Sequence, residues 1–172
     1  KHMRYALENL DGLVVGREAG LVLGEAGYQR YEISNYAKPG SECLHNLSCW
    51  RGQDYLGFGP AASSRSKLER RTNNPNLDGY LCALSAGSLP PCEKETLAPE
   101  IDAAERFVFN FRLAEGVDTD RYREMPGNKM AEWERTLERL ASDGLASRKG
   151  RRWFLTTLGR DLADFVAKEL LP

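Results

Sequence analysis

Residues 31–65 read YEISNYAKPGSECLHNLSCWRGQDYLGFGPAASSR, and the rest of the chain is interpreted outward from them. The stretch holds Cys43–Trp50, CLHNLSCW, and the small-residue run Gly57–Ser64, GFGPAASS. It also holds His45, the one histidine apart from His2. The opening Lys1-His2-Met3 reads as a vector remnant, which would leave His45 as the single native histidine. An imidazole with two ring nitrogens suits metal ligation or proton transfer. A hydrogen-bonded structural histidine is the competing reading. Residues 44–51 suit a short helix, which sets His45 and Cys49 at i and i+4 on one face. The run Gly57–Ser64 follows a short strand expected over Tyr55–Gly59. Small side chains there let backbone amides approach a ligand, although a plain tight turn uses the same residues.

The flanking segments frame this stretch. Residues 13–26 read as a helix with Leu13, Val14, Leu21 and Val22 among its apolar positions. Gly16, Gly20 and Gly24 weaken it, and their spacing of four admits close approach of another backbone. Gly27 is its C-terminal stop. Tyr28–Tyr36 reads as one strand with polar residues on both faces, so that Glu32, Ser34 and Asn35 either face a solvated cavity or lie on an edge. Lys38-Pro39-Gly40 ends it. Residues 70–75 are rich in turn formers, 76–87 suit a helix, and Ser88-Leu89-Pro90-Pro91 reads as a linker. A boundary is expected near Thr96–Pro99.

The remaining residues are patterned more plainly. Ile101–Leu113 is a helix with Ala104, Phe107, Val108 and Phe111 at core spacing. Asn128–Asp143 is another, striped by Met130, Trp133, Leu137, Leu140 and Ala141, with Asn128 as its N-cap and Gly144 as its stop. Lys149-Gly150-Arg151 joins two short strands as a hairpin. Thr157 is expected to cap a final helix. Two helices, a two-stranded wing and a closing helix make a winged-helix-like module.

Charge narrows the function classes. The chain carries 24 basic and 25 acidic residues. Residues 1–98 hold 11 of each sign, and residues 99–172 hold 13 basic and 14 acidic. A nucleic-acid-binding domain usually carries a clear basic excess. The wing cations Arg148, Lys149, Arg151 and Arg152 would suit phosphate, but Glu132, Glu134 and Glu138 on the adjacent helix would repel it. The four cysteines, Cys43, Cys49, Cys82 and Cys92, include no CxxC pair, and reduced thiols in the cytoplasm are expected. Cys43, His45 and Cys49 offer soft ligands for zinc, which would want a fourth ligand or water. A heme iron would need only His45 as an axial ligand. No apolar run reaches the roughly 18 residues that span a bilayer.

The segment Tyr31–Pro60 strongly resembles the radical SAM proteins related to oxygen-independent coproporphyrinogen III oxidase, and among them the heme-chaperone branch. Members carry a YEISNFA-like strand, an HNxxYW motif and a DYLGxGPGAHS-like loop. The matching residues here are Tyr31–Ala37, His45–Trp50 and Asp54–Ser64. The turn Leu155-Thr156-x-x-Gly159 resembles the family's C-terminal domain. The likeness runs from about Gly27 to the C-terminus. It implies an α/β plus α+β fold, with the C-terminal remnant of a partial α/β (TIM-like) barrel over residues 1–97 and a winged-helix-like domain over 98–172.

The family's cluster motif, CxxxCxxC, is absent. The 4Fe–4S cluster and S-adenosylmethionine are therefore expected in a longer parent only, and radical oxidoreductase chemistry is not expected of this chain alone. The resemblance makes His45 the heme contact and metal ligand, supported by Asn46 and Trp50. Gly57, Gly59 and Ser63 would face the S-adenosylmethionine and porphyrin cavity. Two residues depart from the family pattern. Cys49 stands where the motif has tyrosine and could offer a thiolate, and Ser63 stands where the loop has histidine. The implied partners are heme or porphyrin and heme-accepting proteins. Nucleic acid is not expected. Unpaired strand edges predict self-association through residues 28–60.

Overall fold

The computed structural model describes residues 10–171, and side chains from Val15 onward. Lys1-His2-Met3 and the side chains of Leu13 and Val14 lie outside the described residues. In chain order the elements are α1 (Leu10–Glu25), β1 (Gln29–Arg30), β2 (Tyr36–Ala37), α2 (Leu44–Trp50), β3 (Ser63–Ser66), β4 (Glu69–Asn73), α3 (Leu77–Ser85), β5 (Cys92–Thr96), α4 (Pro99–Phe111), β6 (Val117–Asp118), α5 (Asp120–Arg123), α6 (Met130–Ser142), β7 (Ala146–Lys149), β8 (Arg152–Leu155), α7 (Thr157–Asp161) and α8 (Ala163–Leu170). Helix and sheet are mixed, as the sequence indicates. Every strand pair among the described residues is antiparallel.

The hydrophobic core lies almost wholly after residue 96. Helix α4 starts at Pro99, whose fixed φ suits a first helical position, and carries Glu100 and Asp102 in its first turn. Its inward stripe of Ala103, Ala104, Phe107, Val108 and Phe111 meets Trp133, Leu137 and Leu140 of α6. Phe107 stacks on Trp133 with centroids 4.4 Å apart, and the Tyr122 ring meets it edge-on at 5.1 Å. The indole Nε1 of Trp133 donates to the Leu170 carbonyl at 3.1 Å, so this buried polar atom is satisfied.

The hairpin expected as a two-stranded wing lies in a sheet of three strands, in the order β6-β8-β7. Val117 and Asp118 add to the hairpin because Gly116, at φ +68°, turns the chain hard against Trp153, leaving no room for a Cβ. Helix α6 begins at Met130, with Asn128 one residue outside its N-cap, Lys129. The final helix is divided in two. Thr156, not Thr157, caps α7 by accepting from the Gly159 amide at 3.0 Å, and the chain breaks at Leu162 before α8.

The earlier residues depart further from expectation. Tyr28–Tyr36 is not one strand but a hairpin, with Gln29 opposite Ala37 and Arg30 opposite Tyr36. The Glu32 carboxylate makes the turn by accepting from the Ser34 amide and the Asn35 side chain, both at 2.6 Å. Residues 70–73, expected as turn, form β4 inside the sheet β3-β4-β5. The hairpin turn falls instead at Lys67, whose φ is +54°. Tyr55–Gly59 contributes a single bridge, Tyr55 to Arg65, because Gly57 packs directly on the Ser63 carbonyl. Leu21 and Val22 of α1 face water rather than a core. Among the described residues no backbone packs against Gly16, Gly20 or Gly24, although the Tyr36 hydroxyl lies against Gly20.

A buried charge cluster joins the sheet β3-β4-β5 to α4. Arg65, 3% exposed, pairs with Asp102 and lies 3.6 Å from Glu105. Arg70 reaches Glu105 at 2.6 Å, and Arg106 reaches Asp102 at 2.9 Å.

Candidate functional site

Helix α2 places the HNLSCW residues, and α4 holds α2 in position. The terminal carbonyls of a helix lack partners within it. Here Asn110 donates from its side-chain amide to the Trp50 carbonyl at 3.1 Å, and Arg106 donates to the Gly52 carbonyl. Gly52 ends the helix at φ +70°, a conformation that disfavours other residues. At the other side, Asn46 donates to the Tyr31 hydroxyl at 3.2 Å and ties α2 to the first hairpin.

Trp50 is clamped from two directions. Phe109 meets its ring edge-on at 5.7 Å, and the Arg112 guanidinium lies 4.3 Å above it. Arg112 in turn pairs with Glu32 at 3.5 Å. Glu32 is 1% exposed, so it serves this chain of contacts and does not face an open cavity. The Trp50 Nε1 is buried and has no hydrogen-bond partner among the described residues.

His45 is exposed on the face it shares with Cys49, and its Nε2 lies 3.8 Å from the Cys49 sulfur. Burial, reinforced by the nearby Cys43, pushes the Cys49 thiol above the ordinary cysteine range. That shift disfavours the thiolate that Cys49 could otherwise offer beside His45.

His45, Cys49 and Trp50 form one wall of an open pocket of about 550 Å³. Gly57 and Ser63 line it too, with Leu56 between the walls. Five of the seven expected site residues thus meet here. Asn46 and Gly59 do not line it. Gly59 is instead pinned by the Tyr80 hydroxyl on its amide at 3.0 Å and by the Asn73 side chain on its carbonyl at 2.9 Å. Ser63 shares a hydrogen bond with Thr72 across the sheet at 3.0 Å. Arg65, Arg70, Glu105 and Phe109 complete the lining and were not among the expected residues. Phe109 lies on the opposite side of α4 from the core stripe, and an apolar residue there was the one available signal.

The soft-metal alternative is not supported by this geometry. Among the described residues no three His, Cys, Asp or Glu side chains converge on a point, so Cys43 does not complete a site with His45 and Cys49. The wing cations are also engaged. Arg151 pairs with Asp118 at 3.1 Å and Asp120 at 3.5 Å, and Arg148 lies over Trp153 at 5.5 Å. Among the described residues no helix is long and apolar enough to cross a membrane.

Residues 97–162 match the family model of the HemN C-terminal domain. The chain is 36% identical over 149 residues to the heme chaperone HemW of Mycobacterium tuberculosis, covering 87% of this chain and 36% of that protein. It is 33% identical to HemW of Synechocystis sp., covering 77% of this chain and 31% of the relative. HemW of Bacillus subtilis is 29% identical, with 81% and 37% covered. The chain therefore spans about a third of the length of these relatives. Coproporphyrinogen III oxidase (HemN) from Escherichia coli, a radical SAM enzyme, has a similar fold, with TM-score 0.66 at 18% identity. That match covers 90% of this chain and 39% of the enzyme.

Proposed function

The chain belongs among the coproporphyrinogen III oxidase-like proteins, and from that premise we propose that it is the heme-contacting C-terminal part of a longer heme chaperone. Heme is cargo in this reading, and His45 is its iron ligand. The observation that carries it is the exposed imidazole at the mouth of a pocket walled by Trp50 and Leu56. The chemistry of that rim suits a porphyrin. Leu56 in the pocket lining is 71% exposed, and Phe58, two residues on, is 84% exposed, an apolar surface that a flat macrocycle would cover. Asn46 and Trp50 act as positioning residues, one anchoring α2 and the other backing the pocket. Gly57 and Ser63 shape the far wall, and Gly59 holds their loop.

The residues described do not suit an iron–sulfur cluster, since no three cysteines approach one another. The cluster and S-adenosylmethionine would belong to the part of the parent that precedes this chain. Residues 1–97 are read as the closing segment of that parent's barrel, and 98–172 as a winged-helix-like domain whose β7-β8 hairpin is the wing. The cytoplasm is the expected compartment, and heme-accepting proteins are the expected partners.

The test is titration of hemin into the chain and into His45→Ala, followed by the Soret band. The expected result is a saturable band shift in the wild type that is lost in the variant. The same response in both would sink the assignment.

A further inference from the structure

A second pocket lies away from His45, between α1, the β1-β2 hairpin and α7. Its volume is about 580 Å³, and it continues into a smaller space of about 370 Å³ that shares Arg30, Tyr36 and Arg160. This size suits a small-molecule ligand. Its charge is unbalanced. The pocket's carboxylate, Asp161, is taken by Arg17 at 2.7 Å. Among the described residues neither Arg30 nor Arg160 has an ion pair.

The two guanidiniums are nonetheless held in place. Arg30 donates from Nε to the Ile33 carbonyl at 2.7 Å and lies over the Tyr36 ring at 5.4 Å. Arg160 donates to the Leu155 carbonyl and to the Thr157 hydroxyl, both at 3.2 Å, while its Nε is buried without a partner among the described residues. Burial first, and then the Arg30 charge, lower the Arg160 pKa, with Asp161 and Tyr36 acting more weakly in the other direction. Two half-desolvated like charges at one cavity wall cost free energy that a bound anion would return.

We propose that Arg30 and Arg160 form an oxyanion site for a small organic molecule bearing a phosphate or carboxylate group. The planar guanidinium donors match either oxyanion. The Tyr36 ring and Leu158 offer apolar surface for the rest of the molecule.

The experiment is calorimetric titration of the whole chain, at constant ionic strength, with inorganic pyrophosphate and separately with citrate. The wild type is compared with Arg30→Gln, Arg160→Gln and His45→Ala. Saturable binding of at least one probe is expected, weakened about tenfold or more in each arginine variant and unchanged in His45→Ala. Pyrophosphate alone binding identifies a phosphate ligand, and citrate alone identifies a carboxylate. Binding of both supports a general oxyanion site. Arg160 also ties α7 to the end of β8, so Arg30→Gln, which leaves that tie intact, keeps the test decisive if Arg160→Gln fails to fold. No saturable binding of either probe, or equal binding in Arg30→Gln, overturns the proposal. Because His45 is not involved, this result is independent of the hemin titration.

Discussion

Residues 10–96 and residues 97–171 are similar in size but held together differently. Among the described residues, Ala37 and Pro90 are the apolar side chains buried before Leu97, whereas the later region buries Phe107, Trp133, Leu137, Leu140 and sixteen more. Val15, Leu21, Val22, Leu44, Leu56, Phe58, Leu77 and Leu81 are exposed in the earlier region, and in the later one the large exposed apolar side chains are Ile101 and Leu171. The later region is stabilised by its own apolar burial, the dominant favourable term in folding. The earlier region is held to it by polar ties: Arg65 to Asp102, Arg106 to the Gly52 carbonyl, and Asn110 to the Trp50 carbonyl. The pocket beside His45 sits on this junction, so its geometry depends on α4 as much as on HNLSCW.

The difference can be tested by mutation. Phe107→Ala should cost about 3–5 kcal/mol, the usual range for removing a buried aromatic side chain. Chemical denaturation should show both regions lost together, since the earlier one has no separate core. Survival of a protease-resistant 10–96 fragment would break the comparison. Asp102→Asn should cost about 3 kcal/mol by leaving the Arg65 charge buried and underpaired. Its effect should be local: limited proteolysis should speed up near residues 52–70 while the near-ultraviolet signal of Trp133 and Trp153 persists.

The largest pH effect should come from the later region. Burial pushes the Tyr122 phenol up to about 12 from its ordinary value of 10.0. The folded state therefore holds this proton more tightly than the unfolded chain. Its contribution is complete below pH 10 and is lost as the pH rises from 10 to 12, a fall of about 2 kcal/mol. Denaturation midpoints across that range should show the fall, and Tyr122→Phe should flatten it.

The smallest stability effect is expected at the proposed functional residue. His45→Ala should change stability by less than about 0.5 kcal/mol, because the imidazole is exposed. Its consequence should appear in hemin binding. Light scattering addresses the exposed surface of the earlier region. Self-association through residues 28–60 is expected, and a clean monomer would count against it.

How much was legible follows the same division. The helix stripes of α4 and α6 could be read because each buries one face in a core, and burial writes a period into the sequence. The β7-β8 hairpin was signalled by Gly150, which turns at φ +61°. Residues 28–37 and 69–73 were misread because their strands are short, polar and half exposed. What sets them is contact with distant residues: Glu32 with Arg112, Asn73 with Gly59, and the β5 strand with β4. Arg65 and Glu105 were absent from the expected site for the same reason, since 40 positions separate them in the chain.

The sequence alone determined the family, the helices of the later region and the placing of His45 and Cys49 on one side of a single turn. These are local properties, set by side-chain spacing and by a motif contiguous in the chain. Only the tertiary structure decided that Glu32 is buried, that burial disfavours the Cys49 thiolate and that Arg30 and Arg160 line one cavity whose carboxylate, Asp161, pairs with Arg17. Each depends on which distant groups exclude water from a side chain or bring charge to it, and no local pattern records that.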